Sequence, residues 1–176
     1  MPATTLSVQE ARELILKGAA PENLSVQGHL KLSNQSELTT LPEKLNVTRL
    51  TLDGCSSLQE LPRGLHCYEL SLANTSIRAL PDDLNVEYRL DLSNCGLLEE
   101  LPAGLKVSSL VLRGCVSLQA LPEGLEVCFL NLTGCTGLTR FPTHGSIQSG
   151  WLIARGCAQL QELPSWLTRL SYLDIS

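Results

Sequence analysis

VSSLVLRGCVSLQALP, residues Val107–Pro122, is the stretch from which the rest of the chain can be read. Its frame is an apolar residue, then Leu110, Leu112 and Cys115, then Leu118, then Leu121-Pro122. The frame returns about every twenty residues. A fixed period of this size marks a solenoid, in which each copy buries its apolar face only by stacking on its neighbours. The Leu-x-Leu pair falls at 30/32, 50/52, 70/72, 90/92, 110/112 and 130/132, slips by two residues to Leu152 and Ala154, and ends in a partial copy at Leu173 and Ile175. Leu-Pro falls at 41/42, 61/62, 80/81, 101/102 and 121/122, then as Phe141-Pro142 and Leu163-Pro164. With Ala20-Pro21 as a degenerate first member, eight of nine prolines keep one register.

Each part of the frame has a physical task. Side chains alternate along a strand, so Leu-x-Leu is a short strand with both leucines turned inward, and copies stacked in register make a parallel sheet. The turn that follows bends the chain sharply, and Gly54, Gly114, Gly134 and Gly156 permit the backbone angles it needs. Cys55, Cys95, Cys115, Cys135 and Cys157 share one position after that turn, with Gln35 and Thr75 in the same slot of two other copies. This is a column of small apolar fillers with weak S–H donors. Proline fixes an extended, polyproline-like path on the return side and lacks the amide that a helix would use. The expected fold is an α/β repeat: a solenoid with a parallel concave sheet, an extended convex side, and about seven repeats plus a final partial strand over residues 20–176.

Residues 1–19 stand outside the frame. Ser7-Val-Gln-Glu10 fits a capping box, and Leu6, Val8, Ala11, Leu14 and Ile15 then fall on one helical face, with Gly18 as a stop. A short N-terminal helix that caps the open first layer is expected. One residue is missing between Leu72 and Leu80 and one is added between Val86 and Leu90, so the spacing of layers survives. Thr143–Gly150 carries a two-residue excess and is expected to bulge from the stack as a loop.

Composition bounds the function. The net charge is -5 with no basic run, which argues against nucleic acid or an acidic membrane surface as partner. No apolar stretch reaches membrane-spanning length, and the first residues lack a secretory pattern. Seven cysteines, an odd number with five of them in one repeat position, point to free thiols in a reducing compartment and hence to the cytoplasm. Five Asn-x-Ser/Thr sequons, Asn131-Leu-Thr133 among them, read as chance in that setting.

The pattern LxxLxLxxC, as in Val47-Thr-Arg-Leu50-Thr-Leu52-Asp-Gly-Cys55 and again from Val107 and Val127, resembles the leucine-rich repeat. The twenty-residue period with Leu-Pro is similar to the short bacterial subclass of effectors injected into host cells, among them the invasion plasmid antigen H ubiquitin ligases. That resemblance covers residues 20–176 and implies protein recognition, in the host cytoplasm for a secreted effector. Those effectors mostly carry asparagine where this chain has cysteine. The Gly-Cys variant looks more like plant disease-resistance receptors, whose repeats are longer. The ligases hold their catalytic cysteine in a separate helical domain, which nothing here matches.

No Cys-x-x-Cys or His-x-x-His pair gives a zinc spacing, so neither a metal nor another cofactor is expected. Neighbouring thiols such as Cys115 and Cys135 stand one strand spacing apart, but packed thiols account for a slot filled in every layer. His29, His66 and His144 occupy unrelated repeat positions, so no catalytic pair with cysteine emerges and no enzyme is expected. The residues before and between the inward leucines face solvent on the concave side. Arg49, Glu69, Arg89 and Asp91 make its first half charged, while Val111, Phe129, Trp151, Ile153 and Tyr172 make its second half one apolar patch. Apolar and aromatic surface rimmed by charge is the pattern of a protein-binding site. The competing reading has Trp151 tucked under the Thr143–Gly150 segment and Tyr172 shielding the last layer. The chain ends within a strand, so its edge is expected to be covered by further sequence, such as the catalytic part of a larger ligase-type effector, or by end-to-end self-association.

Overall fold

The computed structural model describes residues 3–176 and every side chain among them except that of Ser149. The first two residues of the 1–19 segment lie outside that range. Among the described residues nine strands form one sheet, in chain order: β1 (Thr4–Leu6), β2 (Leu24–Lys31), β3 (Asn46–Thr51), β4 (His66–Ser71), β5 (Asn85–Asp91), β6 (Ser109–Val111), β7 (Leu125–Asn131), β8 (Gly145–Ile153) and β9 (Tyr172–Asp174). Every neighbouring pair is parallel. The architecture is a solenoid of stacked coils.

The repeat frame sets the stacking. Leu30, Leu50, Leu70, Leu90, Leu110, Leu130, Leu152 and Leu173 follow one another in register across β2 to β9. The second leucine of each pair donates its amide to the next layer, as in Leu52 N–H to Ser71 O and Leu92 N–H to Val111 O, both 2.8 Å. The turn does the same: Gly54 N–H reaches Ala73 O and Gly114 N–H reaches Thr133 O, again at 2.8 Å. Backbone pairing therefore continues past the strand and around the corner. Inside the coil the leucines form one continuous core, most of them fully buried, each burial contributing roughly 2 kcal/mol.

The corner requires a positive φ. Gly54, Gly114, Gly134 and Gly156 have φ between 66° and 74°, and Asn34, Asn74 and Asn94 take the same place at 59°. Asparagine is the side chain that tolerates this region best. On the return side the chain runs mostly through turns and irregular backbone, and α1 (Val8–Leu16) is the single helix among the described residues. No helix among them is long and apolar enough to cross a membrane.

Helix α1 has the expected capping box: Glu10 N–H donates to Ser7 Oγ at 3.3 Å, and Ser7 N–H donates to Glu10 Oε2 at 3.0 Å. Ala11 and Ile15 join the core. Strand β1, ahead of α1, pairs with β2 and is an addition to the helix expected there.

One expectation is corrected. Thr143–Gly150 is not a loop that leaves the stack, because β8 begins at Gly145 and pairs from there with β7. Its two extra residues are absorbed inside the strand, between Ile147 and Trp151. The approach is so close that a Cβ on Gly150 would overlap Cys128 O, so only glycine fits there. Strand pairing on both sides of the excess outweighs the release of a loop. The shortened copy has its own repair: Gly64 N–H donates to the Asp83 carboxylate at 2.9 Å, where Lys44 N–H and Gly104 N–H donate to backbone carbonyls of the next layer.

Gly134 has φ 74°, and a Cβ added there would meet its neighbours only at ordinary van der Waals distance, so this position isolates the backbone term. Gly134→Ala is expected to lower stability by about 1–2 kcal/mol, and Gly134→Asn by less than half of that. Chemical denaturation of both variants measures this, and equal losses would contradict the account of the corner.

Candidate functional site

The face of the sheet turned away from the core is built from two columns. The first runs His29, Arg49, Glu69, Arg89, Ser109, Phe129, Trp151, Tyr172, each in register with the next. The second runs Lys31, Thr51, Ser71, Asp91, Val111, Asn131, Ile153, Asp174. The nine residues singled out from the sequence therefore all fall in these two outward columns.

The charged half is internally paired. Arg49 Nε lies 3.2 Å from Glu69, and Arg89 Nη2 lies 2.8 Å from Asp91. Asp91 also accepts from Ser93 N–H and Oγ–H, at 3.0 and 2.6 Å. His29 contacts Thr51 Oγ1 at 2.8 Å, and partial burial, with Lys31 and Arg49 nearby, pushes its pKa down.

The apolar half is rearranged in one respect. Val111 is 5% exposed and, although it stands in the outward column, it drops out of the exposed patch. It is a short branched side chain between the longer Asp91 and Asn131, its register partners, and they leave it almost no contact with water. Phe129, Trp151 and Tyr172 do form a contiguous run on β7, β8 and β9. Trp151 is 51% exposed and Tyr172 is 40% exposed, and their ring centroids lie 5.1 Å apart at 36°. Trp151 is thus not tucked under the preceding segment. Trp166 does that work: its indole N–H donates to Pro142 O at 2.9 Å, and its ring meets Phe141 edge-on at 6.2 Å.

Asp174 fixes the end of the patch. It accepts from Arg155 Nε–H at 2.6 Å, Tyr172 O–H at 3.2 Å and Ser176 Oγ–H at 2.9 Å. The Arg155 hydrogen bond is the main reason that its carboxyl titrates far below the ordinary range. The Asp-x-Ser and Asn-x-Thr triplets recur because of this turn: Thr133 N–H and Oγ1–H both donate to Asn131 Oδ1, at 3.0 and 2.7 Å. The sequon at Asn131 is therefore turn chemistry of the repeat.

Tyr68 and Tyr88 fall outside the pattern read from the sequence. They precede Glu69 and Arg89 in β4 and β5, are 41% and 46% exposed, and stack with centroids 5.2 Å apart at 6°. The signal was present in their common place just ahead of the first column, which the two-column pattern did not include.

The remaining chemistry is structural. Cys55, Cys95, Cys115, Cys135 and Cys157 each donate Sγ–H to a leucine carbonyl of the layer before, at 2.9–3.2 Å. Burial pushes the thiols of Cys67 and Cys135 up to about 12, and that of Cys115 higher still. These are protonated packing groups. Glu123, Thr143 and His144 meet at an exposed turn, where the Glu123 carboxylate accepts from Thr143 N–H and Oγ1–H and lies 3.0 Å from His144 Nδ1. With Thr143 and Glu123 both at Nδ1, this is a turn brace rather than a relay. A cavity of about 1,020 Å³ is an open groove past Glu99, Glu100, Gln119 and Gln159, without histidine, cysteine or lysine in its lining. No group of three or more His, Cys, Asp or Glu among the described residues is placed to hold a metal ion. Set against known proteins, the chain matches no family, no curated protein and no solved structure.

Cys128 alone of the seven free thiols is exposed. Native protein at pH 8 is expected to show one fast-reacting thiol with a maleimide, lost in Cys128→Ser, and seven in guanidinium. A second fast thiol in the native state would contradict the packed column.

Proposed function

We propose that the chain is a leucine-rich-repeat recognition module that grips a protein partner on the outer face of its sheet, with α1 closing the first layer. One observation carries this reading: Phe129, Trp151 and Tyr172 stand side by side on three adjacent strands, two of them widely exposed. Aromatic side chains left in water on a leucine-built scaffold reduce solubility, and such clusters anchor partners when they are desolvated at an interface. In the neighbouring ion pairs of Arg49 with Glu69 and Arg89 with Asp91 the arginines are about half exposed, so water screens the pairs and they add little affinity. They set which partner fits and in what orientation. Free, mostly buried thiols favour a reducing compartment, the cytoplasm of the producing cell or of a host. This reading assigns the chain no catalysis and no cofactor.

Affinity capture from the native cell, followed by titration of the captured partner, tests it. Trp151→Ala with Phe129→Ala is expected to weaken binding by about 30-fold or more, with the circular dichroism spectrum retained. Arg49→Ala is expected to change affinity by less than about fivefold. A double aromatic variant that binds as tightly as the parent protein places the partner elsewhere.

A further inference from the structure

Layer after layer, one carbonyl at the strand end accepts from the layer before it. Thr51 O, Ser71 O, Asp91 O, Val111 O and Asn131 O each take the N–H of the leucine one layer earlier. Lys31, the register partner of Thr51, holds the same place in β2, and no earlier Leu-x-Leu pair precedes it. Its donor is a side chain: Arg12 Nε–H of α1 reaches Lys31 O at 3.3 Å. A glycine permits the approach. Strand β2 bulges between Val26 and His29, where Gly28 has φ 118° and Val8 Cγ2 stands 3.3 Å from the place that a Cβ would take. Val8 and Arg12 are four residues apart and share a helix face. The turn of α1 that packs on Gly28 therefore brings Arg12 to the end of the strand.

This closure uses one of the five N–H groups of the guanidinium. The other four stay at the Lys31 end of β2. Lys31 stands in one outward column, and His29 and Arg49 are register partners in the other. Burial first, then Lys31 and Arg49, push the pKa of His29 down, and Glu69 alone among its charged neighbours opposes them. The carboxylates of this region are engaged elsewhere. Glu69 lies 3.2 Å from Arg49, Asp53 accepts from Ser71 Oγ–H and Ala73 N–H, and Glu10 accepts from Ser7 N–H and Oγ–H. Glu13 is one residue past Arg12, about 100° around the helix. Farther along the face Asp91 pairs with Arg89 and Asp174 with Arg155. Among the described residues no carboxylate lies within ion-pair distance of Arg12 or Lys31.

We propose that this end of the outer face receives an acidic segment of the bound protein, its carboxylates set against Arg12 and Lys31 with His29 beside them. The guanidinium fork offers a carboxylate paired donors, and the lysine adds a mobile point charge. The chain carries a net charge of -5, so an acidic segment is repelled by the molecule as a whole and drawn to this corner. A basic segment meets two uncompensated cations here, and an apolar one covers them without a partner. From β2 to Trp151 on β8 is six strand spacings, about 29 Å. The inference rests on the reading of this face as a protein-binding surface. It adds a contact of different chemistry at the far end from the Phe129–Tyr172 run, and so gives the partner a direction.

The probes are an acetylated and amidated Asp-Glu-Asp-Glu peptide, its Asn-Gln-Asn-Gln counterpart and inorganic phosphate, each titrated at constant ionic strength. The readout is the NMR signal of the His29 ring, assigned among three histidines by its loss in His29→Gln. The acidic peptide is expected to shift this signal saturably and to raise the His29 pKa by about half a pH unit, and the amide peptide to do neither. Lys31→Glu is expected to raise the dissociation constant about tenfold, and Arg12→Gln about two- to fivefold. Arg140→Gln removes an exposed cation on the return side and is expected to leave it unchanged. Lys31 is exposed, so its variant keeps the fold, which matching circular dichroism spectra check. No saturable shift, equal binding of the amide peptide, phosphate bound as tightly as the acidic peptide, or equal effects of Lys31→Glu and Arg140→Gln overturn the proposal. Binding of the acidic peptide by a protein that captures no partner supports the site and removes the reading it rests on. Capture that is lost in Trp151→Ala and unchanged in Lys31→Glu removes the acidic contact alone.

Discussion

The backbone hydrogen bond from one layer to the next is the constraint on which everything else depends. It does not stop at the strand ends: Leu32, Leu52, Leu72, Leu92, Leu112 and Leu132 donate to the layer that follows, and so do Asn34, Gly54, Asn74, Asn94, Gly114 and Gly134 two residues later. A coil of this width has no helix on its return side to hold layers apart or together. Pairing through the corner therefore fixes the spacing, and the buried leucines and thiols then fill the interior that this spacing leaves. The cysteine column follows from it, since each Sγ–H reaches a carbonyl one layer back only when the layers are in register.

The same constraint explains where irregularity is allowed. An inward side chain cannot be displaced without losing its place in the core, so extra residues go outward, between the inward Val26, Val86 or Ile147 and the next inward leucine. Bulges therefore change the outer face and leave the stack intact. They are the means by which a periodic scaffold acquires a non-periodic surface, as where Tyr88 of the bulged β5 stacks on Tyr68. The aromatic run farther along arises differently, from ordinary column positions filled by large side chains.

The repeat itself is legible because its period is imposed by backbone geometry, and one coil predicts the next. That is why the inward and outward sense of Arg49, Arg89, Phe129 and Trp151 could be read from spacing alone. What spacing does not carry is the size of neighbours. Val111 occupies an outward position yet is buried, because Asp91 and Asn131 flank it. The excess in Thr143–Gly150 reads as a loop by length, but a glycine at position 150 lets the strand run against Cys128 O instead. Strand β1 is three residues long and lacks the repeat frame, so nothing in the period announces it. Tyr68 and Tyr88 are visible as tyrosines one residue ahead of Glu69 and Arg89, a place that the two-column pattern leaves out.

The central claim is that place in the repeat gives place in space along a single stack. Spin labels on cysteines introduced pairwise in a Cys128→Ser background, at Arg49 with Ser109 and at Arg49 with Trp151, test it by pulsed dipolar distance measurement. Labels on β3 and β6 are three strand spacings apart, about 14 Å, and labels on β3 and β8 are five apart, about 24 Å. Distances that grow in that proportion, within the reach of the label linkers, are the predicted result. A β3-to-β8 distance equal to or shorter than the β3-to-β6 distance would contradict the stack, and with it every assignment made to its outer face.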